Sequence, residues 1–278
     1  VTANLGRGEG DDWVRVAIPE LENDGYLVVW RVMSADGHAV EGAFGFQIGA
    51  SSLPVGSEVV STVVGAQGDN PLLGRVAGVG RYVSYGALAL LFGLFVLNID
   101  SRRLRISMIG TIGAVSVLLV LLMMGPNTLG GSLADAFDVS LLADTVNTRS
   151  GTMTAARVLF FAAVAIVGSR MPSRMLGLIL VLLAGTFAAG GHSASESPAV
   201  IAVLITTVHV VAVSIWVGGI LAVLVNALTS SWEKSVQRFS NIMNFVLPAV
   251  VLSGVLTAAR NLGGLSGYLI RPMADHNY

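Results

Sequence analysis

Few residues in this chain of 278 offer an imidazole or thiolate ligand to a metal, because it contains four histidines and no cysteine. One histidine ends the segment SADGH at residues 34–38, two positions after Asp36 and just beyond a run of β-branched and aromatic side chains. Carboxylate oxygen and imidazole nitrogen are ligands for divalent transition metals, so Asp36 and His38 are candidate metal ligands. Asp-Gly is also a common hairpin turn, and the spacing alone leaves the turn and the ligand pair as open alternatives.

Two further histidines lie in or beside long apolar segments. His209 is about ten residues into the segment 199–228, which places it about 15 Å deep, near the middle of a bilayer. An ionisable side chain at that depth indicates a functional site, with a simple hydrogen bond to a neighbouring helix as the alternative. His192 follows two glycines at the end of the preceding segment, either as a ligand or as an ordinary interfacial residue. Thr206 and Trp216 share a helix face with His209.

Arg157 is another ionisable residue within an apolar segment, near the N-terminal end of residues 152–169. It either extends its guanidinium to the outer surface or pairs with an acid, such as Asp144 or Glu196. The methionines of the apolar segments are interpreted as packing residues rather than metal ligands.

The composition predicts that much of the chain lies in a lipid bilayer. Hydrophobic residues make up 54% of it and charged residues 12%, whereas a soluble domain has about 25% charged residues. The net charge of -1 and the dispersed basic residues do not favour a nucleic-acid partner. The lack of cysteine excludes disulfides, thiolate zinc sites and a cysteine nucleophile. The sequence has no G-x-x-x-x-G-K-[ST] motif for ATP, so any transport would use gradients or ligand exchange.

Residues 1–49 have the pattern of a small β unit. Three stretches, WVRVAI, GYLVVWRVM and GAFGFQIG at residues 13–18, 25–33 and 42–49, mix alternation with β-branched and aromatic residues and predict strands. Asn-Asp-Gly between the first two is typical of a turn. A unit of this size buries too little surface to be stable alone, so it needs further strands or a packing partner.

The rest of the chain is predicted to be a linker, a membrane domain and a short tail, at residues 50–78, 79–263 and 264–278. The linker is rich in Gly, Ser and Val. Six apolar segments have the length of about 20 residues that is needed to cross a hydrocarbon core of about 30 Å. These predicted transmembrane helices are 81–99, 105–125, 152–169, 174–191, 199–228 and 239–260.

The charges of the loops predict how these helices are oriented. The positive-inside rule places loops rich in Arg and Lys in the cytoplasm. Basic residues are concentrated in or beside the first, third and fifth loops, while the second loop contains one arginine and the fourth none. The β unit, the second and fourth loops and the C-terminus are therefore predicted to lie outside. The basic residues are Arg102, Arg103, Arg105, Arg170, Arg174, Lys234 and Arg238.

Residues 26–46 read YLVVWRVMSADGHAVEGAFGF and closely resemble the C-terminal half of the CopC copper-resistance domain, Y-x-V-x-W-R-V-x-S-x-D-G-H-x-x-x-G-x-F-x-F. The apolar segments resemble CopD, its inner-membrane partner, through GRYVSYGALALLFG, an arginine in the third span (Arg157), GGHSAS, HVVAVSIWVGG and RFS, in that order. The chain therefore resembles a CopC–CopD fusion over nearly its full length. The matching CopC positions are Tyr26, Val28, Trp30, Arg31, Val32, Ser34, Asp36, Gly37, His38, Gly42, Phe44 and Phe46.

The resemblance implies the fold: a mainly α-helical polytopic membrane protein of about six transmembrane helices, preceded by a partial all-β Greek-key, Ig-like domain outside the membrane. CopC domains bind Cu(II) through an N-terminal histidine together with the Asp and His of the D-G-H segment. Asp36 and His38 would then be two of three side-chain ligands, and such N,O sites suit Cu(II). The strand with the third ligand is not in this sequence, and we expect both ends of the chain, including residues 264–278, to be truncations.

The resemblance also implies a function, namely copper binding and transport across the cytoplasmic membrane in copper uptake, homeostasis or resistance. His192 and His209 match the membrane histidines of CopD and would form the copper path, with Arg157, Thr206 and Trp216 in support. The implied protein is not an enzyme. Its implied partners are copper ion, the lipid bilayer and periplasmic or extracellular copper chaperones.

Two other functions compete with copper transport. A membrane haem protein would use His192 and His209 as axial ligands, but their depths differ by about 15 Å, which disfavours one shared haem. A hydrolase would use the serines beside His192 in GGHSASES, but neither a G-x-S-x-G motif nor paired intramembrane acids accompany them.

Overall fold

In the computed structural model the chain forms two compact units. The small N-terminal unit contains the strands and the larger unit contains the helices. The residues that the structure describes are 4–7, 14–18, 20–33, 39–49, 71–97, 102–191, 198–227 and 232–261.

The N-terminal unit contains two two-stranded sheets among its described residues. Strand β1 (Asn4–Arg7) pairs antiparallel with β2 (Val14–Ala17), so that Asn4 is opposite Ala17. Strand β3 (Gly25–Met33) pairs with β4 (Ala39–Gln47). The three predicted strands are confirmed, whereas β1 was not predicted because Asn-Leu-Gly-Arg has neither alternation nor a β-branched residue. The Greek-key order of the strands stays a prediction.

Aromatic rings hold β3 and β4 together. Tyr26 and Phe46 stack with ring centroids 5.5 Å apart. Trp30 lies across Gly42, where a Cβ atom would overlap the indole ring. Three of the residues shared with the CopC pattern, Trp30, Gly42 and Phe46, therefore pack the sheet on either side of SADGH.

The larger unit consists of helices. Their bounds are α1 Pro71–Leu97, α2 Arg102–Leu129, α3 Val139–Asn147, α4 Arg149–Val167, α5 Ser173–Ala189, α6 Ala199–Asn226 and α7 Trp232–Asn261. Within the described residues, five of them (α1, α2, α4, α6 and α7) are long and apolar enough to cross a membrane. Helix α5 corresponds to the fourth predicted span and is also apolar, but it has 17 residues, near the lower limit of about 17 for a transmembrane helix.

Two boundaries differ from the sequence prediction. Helix α1 begins at Pro71, so residues 71–78 of the predicted linker are helical. Glycines and an arginine lower the hydropathy of this stretch, but its Leu73 and Ala77 are buried in a cluster with Met123 of α2. Proline is favourable at the first position of a helix because the missing N–H has no helical acceptor there.

The predicted loop 126–151 is also partly helical, because α2 continues to Leu129 and the short helix α3 follows. Asp138 caps α3, since its carboxylate accepts hydrogen bonds from the backbone N–H groups of Ser140 (2.8 Å) and Leu141 (3.3 Å). These bonds and the one from the Ser140 hydroxyl lower the pKa of Asp138. The cap satisfies backbone N–H groups of the first turn that have no acceptor within the helix, and α3 also packs against α2 and α4.

The core of the helical unit lies where α1, α4 and α5 meet. Leu88 and Leu91 of α1, Phe161 of α4, and Leu180 and Leu183 of α5 are all at most 1% exposed. Helix α1 also packs against α2 and α6, and α6 packs against α7. The outer faces of α6 and α7 keep large apolar side chains exposed, as lipid contact requires.

Helices α1 and α6 approach so closely that their main chains touch at two glycines. A Cβ atom on Gly93 would overlap the carbonyl oxygen of Gly218, and one on Gly218 would overlap the carbonyl oxygen of Ala89. Small residues permit such close packing of transmembrane helices. Gly218 belongs to the sequence Trp-Val-Gly-Gly on α6. The close helix contact that these small residues predict is therefore confirmed.

We expect Gly93→Ala to lower the thermal unfolding midpoint of the full chain in detergent, because overpacking of a tight contact costs about 1–3 kcal/mol. Gly78→Ala is the matched control on the same helix, since nothing lies within 4 Å of its Cβ position. Alanine is the better helix former, so the control should keep or raise the midpoint. Equal midpoints for the two variants would contradict the main-chain contact.

Candidate functional site

The histidine predicted to lie deepest in the membrane, His209, is partly buried on α6 and contacts α7. Its Nδ1 atom lies 3.0 Å from Oγ of Ser253. The next residue on α7 is Gly254, where a Cβ atom would lie 3.4 Å from Cε1 of the imidazole. A serine and a glycine on α7 thus fix the position of the ring.

The hydrogen bonds of Ser253 indicate which ring nitrogen of His209 carries the proton. The Ser253 hydroxyl donates to the carbonyl oxygen of Ala249, one turn earlier on α7. A hydroxyl has one hydrogen, so with that hydrogen on Ala249 its oxygen accepts from His209, and we infer that Nδ1 is the protonated nitrogen. Nε2 then keeps its lone pair, which is the form of imidazole that binds a metal. An orienting hydrogen bond to the other nitrogen is typical of metal-ligating histidines.

A cavity of about 290 Å³ lies beside His209, between α1 and α6. It is mostly apolar, with His209, Tyr85 and Ser214 as its polar lining residues. The remaining lining residues are Gly86, Ala89, Val210, Val213 and Val217. The cavity can therefore admit a small species to an imidazole that apolar side chains surround.

The two residues predicted to support His209 lie on the same helix. Thr206 is partly buried, and the Trp216 ring is 38% exposed. Neither is among the described residues that line the His209 cavity. Their supporting role stays a prediction.

Arg157 lies inside the helical unit on α4, and its guanidinium contacts α5. Nη2 donates a 2.8 Å hydrogen bond to the carbonyl oxygen of Thr186, and Cζ lies 4.3 Å from the centroid of the Phe187 ring. Nε is buried without a hydrogen-bond partner. Among the described residues the guanidinium is thus held by a carbonyl and a ring, and the proposed partner Asp144 is not one of its contacts. Glu196, the other proposed acid, lies outside the described residues.

A second cavity, of about 210 Å³, lies beside Arg157 and is called the arginine cavity below. Tyr85 lines both this cavity and the His209 cavity. Its ring lies 4.9 Å from that of Phe187, centroid to centroid. The lining residues are Arg81, Ser84, Tyr85, Val117, Val120, Met124, Ser150, Thr154, Arg157, Phe187, Gly190 and Gly191.

Three predicted metal ligands, Asp36, His38 and His192, lie outside the described residues. His192 follows Gly191 in the sequence, and Gly191 lines the arginine cavity. Within the described part of the chain, no group of three or more His, Cys, Asp or Glu side chains is arranged to hold a metal ion.

Two residues of the site were not predicted. Ser253 and Tyr85 lie in apolar segments, where a single serine or tyrosine is unremarkable in the sequence alone. The pair Ser253-Gly254 combines a small polar residue with a glycine, a combination that favours helix contact, and it is the sequence signal by which this position could have been found.

Two family models match the chain. Residues 2–49 match the CopC domain, and residues 75–199 match the N-terminal domain of copper resistance protein D-like proteins. Tyr85 and Arg157 lie within the second match, whereas His209 and Ser253 lie beyond its end.

The chain is also similar to a curated protein, the copper transport protein CutJ of Bacillus subtilis (strain 168). The two are 25% identical over 268 residues, which cover 85% of this chain and 48% of CutJ. The chain thus spans about half the length of this relative. No solved structure matches the chain.

We expect Ser253→Ala to shift the tautomer balance of His209, because it removes the acceptor that holds the proton on Nδ1. Nitrogen NMR of the labelled full chain, which has four histidines, measures this balance at each ring. Thr257→Ala is the matched control, since the Thr257 hydroxyl donates to the Ser253 carbonyl (2.9 Å) on the same helix and not to the ring. An unchanged His209 spectrum in Ser253→Ala would contradict the assigned hydrogen bond.

Proposed function

Because this chain is a fusion of a CopC domain and a CopD-like membrane domain, we propose that it binds copper and conducts it across the cytoplasmic membrane without enzymatic chemistry. The observation that carries the proposal is the imidazole of His209, which is held at Nδ1 by Ser253 beside a cavity between α1 and α6. Imidazole is a good copper ligand. A histidine with one nitrogen held and the other available is what a copper path requires.

The proposed path begins at the β domain, where Asp36 and His38 capture Cu(II), and continues through His192 to His209. Two observations support this order. His192 directly follows Gly191 in the sequence, Gly191 lines the arginine cavity, and Tyr85 lines both that cavity and the His209 cavity. The two cavities are thus neighbours across one side chain, so copper would move between them by passing Tyr85.

The proposed orientation places the β domain and α3 outside the membrane. It rests on basic residues near the opposite ends of the helices, since the positive-inside rule assigns such ends to the cytoplasm. These residues begin α2, connect α4 to α5 and begin α7: Arg102, Arg170, Arg174, Lys234 and Arg238.

Weak binding at His209 suits transport. A path must bind its ion strongly enough to admit it and weakly enough to release it. One imidazole with mostly apolar neighbours supplies fewer ligands than a storage site, so copper can leave by exchange with the next ligand. The sequence has no ATP-binding motif of the P-loop type, and the proposed driving force is a gradient or ligand exchange.

We expect His209→Ala to reduce the copper accumulation of cells that express the full chain to the level of cells without it. Thr207→Ala is the matched control, because its hydroxyl bonds the Val203 carbonyl (2.7 Å) on α6 and does not line the His209 cavity. Metal analysis of cells with equal amounts of membrane-inserted protein measures the effect. Parental accumulation in His209→Ala would refute the membrane path, and a Soret band lost in this variant would support haem binding instead.

We expect Asp36→Ala to weaken Cu(II) binding by the full chain about tenfold or more, because it removes one of the two proposed side-chain ligands. Electron paramagnetic resonance during a Cu(II) titration in detergent follows both the affinity and the oxygen ligand. Glu20→Ala is the control, an exposed carboxylate before β3 in the same unit. The outer site would be wrong if the two variants bound Cu(II) alike.

A further inference from the structure

The arginine cavity contains a buried guanidinium whose charge is only partly compensated, that of Arg157. Two arginines, Arg81 and Arg157, line it, and its described lining includes no aspartate or glutamate. An enclosed charge loses its hydration and requires compensation by an opposite charge or by hydrogen bonds. The carbonyl of Thr186 and the ring of Phe187 compensate part of the charge of Arg157.

The compensation of the Arg157 charge is incomplete at one N–H group. Its Nε is buried and has no hydrogen-bond partner, although nearly all buried polar groups in native structures have one. The end of α5 also restricts the position of the guanidinium, because a Cβ atom on Gly190 would lie 2.5 Å from Nη2. The fold thus makes room for an arginine and leaves one of its donors without an acceptor.

Four residues with hydroxyl groups also line the cavity, namely Ser84, Tyr85, Ser150 and Thr154. The Ser84 and Thr154 hydroxyls donate to the carbonyls of Arg81 (2.7 Å) and Ser150 (2.8 Å) within their own helices. Within the described structure, the hydroxyl hydrogens of Tyr85 and Ser150 are not committed to such carbonyls. The cavity therefore offers the unpartnered Nε–H of Arg157 and two hydroxyl donors, and these donors suit an anion rather than a metal ion.

The size and shape of these groups specify the kind of anion. The cavity volume of about 210 Å³ equals roughly seven water molecules at about 30 Å³ each, more than a halide ion fills. The planar fork of a guanidinium matches the two oxygens of a carboxylate or phosphate group. We propose that the arginine cavity binds a small oxyanion with a carboxylate or phosphate group, which accepts a hydrogen bond from Nε of Arg157 and neutralises its charge.

This site is independent of the copper proposal, and its test contains no copper. Free phosphate or acetate and the headgroup of an anionic lipid present the same chemistry, so the experiment separates these two sources. In the first arm, the full chain in detergent is titrated with sodium phosphate and with sodium acetate against sodium chloride at constant ionic strength. Calorimetry measures the binding, and the unfolding midpoint should rise because the anion binds the folded chain.

In the second arm, the midpoint is compared in nanodiscs of phosphatidylcholine and of phosphatidylglycerol. A rise with the free oxyanion assigns a soluble ligand, and a rise confined to phosphatidylglycerol assigns a lipid headgroup. Either result supports the site only if Arg157→Gln weakens binding about tenfold or more, as expected for loss of a charge-assisted hydrogen bond. Arg81→Gln provides a second variant if Arg157→Gln does not fold.

Arg170→Gln is the matched control, since Arg170 is exposed in the connection between α4 and α5 and does not line the cavity. It should bind the anion as the parent does. The proposal is overturned if chloride gives the same response as the oxyanions, if neither arm shows binding, or if Arg170→Gln loses as much affinity as the cavity variants.

Discussion

The main-chain contact of α1 and α6 at Gly93 and Gly218 is the constraint on which both cavities depend. It fixes the two helices at their closest distance. The His209 cavity starts beside that contact, since Ala89 and Val217 line it, and it extends to Tyr85 and His209, about two turns away on each helix. The cavity therefore occupies the space between α1 and α6 next to their closest approach. Tyr85, at its far end, also lines the arginine cavity.

The polar side chains inside the helical unit follow one rule. Burial of a polar group is costly unless it is hydrogen-bonded, and His209 and Arg157 each have a bonded edge, to Ser253 and to Thr186. Each also keeps one nitrogen without a hydrogen-bond partner among the described residues, namely Nε2 of His209 in the inferred tautomer and the buried Nε of Arg157. The first of these nitrogens is an acceptor and the second is a donor. The ligands proposed for the two cavities accordingly have opposite charges, a cation at His209 and an anion at Arg157.

Much of the fold was predictable because it depends on local patterns. Long apolar segments are helical in lipid because a helix satisfies the backbone hydrogen bonds within the segment itself. Among the described residues, five long helices and the shorter α5 lie where such segments occur. The strands around Trp30 follow from β-branched and aromatic alternation. The helical start at Pro71 and the helix α3 were not predicted, because hydropathy reports solvent preference, whereas burial against α2 and the cap at Asp138 stabilise these helices.

By itself, the sequence determined the family, the membrane helices and the residue types that could bind copper, because these depend on composition, periodicity and motif spacing. It marked His209 and Arg157 as unusual from their depth alone. Only the tertiary structure decided their partners. Ser253 is 44 positions from His209 and Thr186 is 29 positions from Arg157, and no local pattern encodes such contacts. Helix packing sets them, because it determines which faces meet, which atoms are satisfied and where a cavity remains.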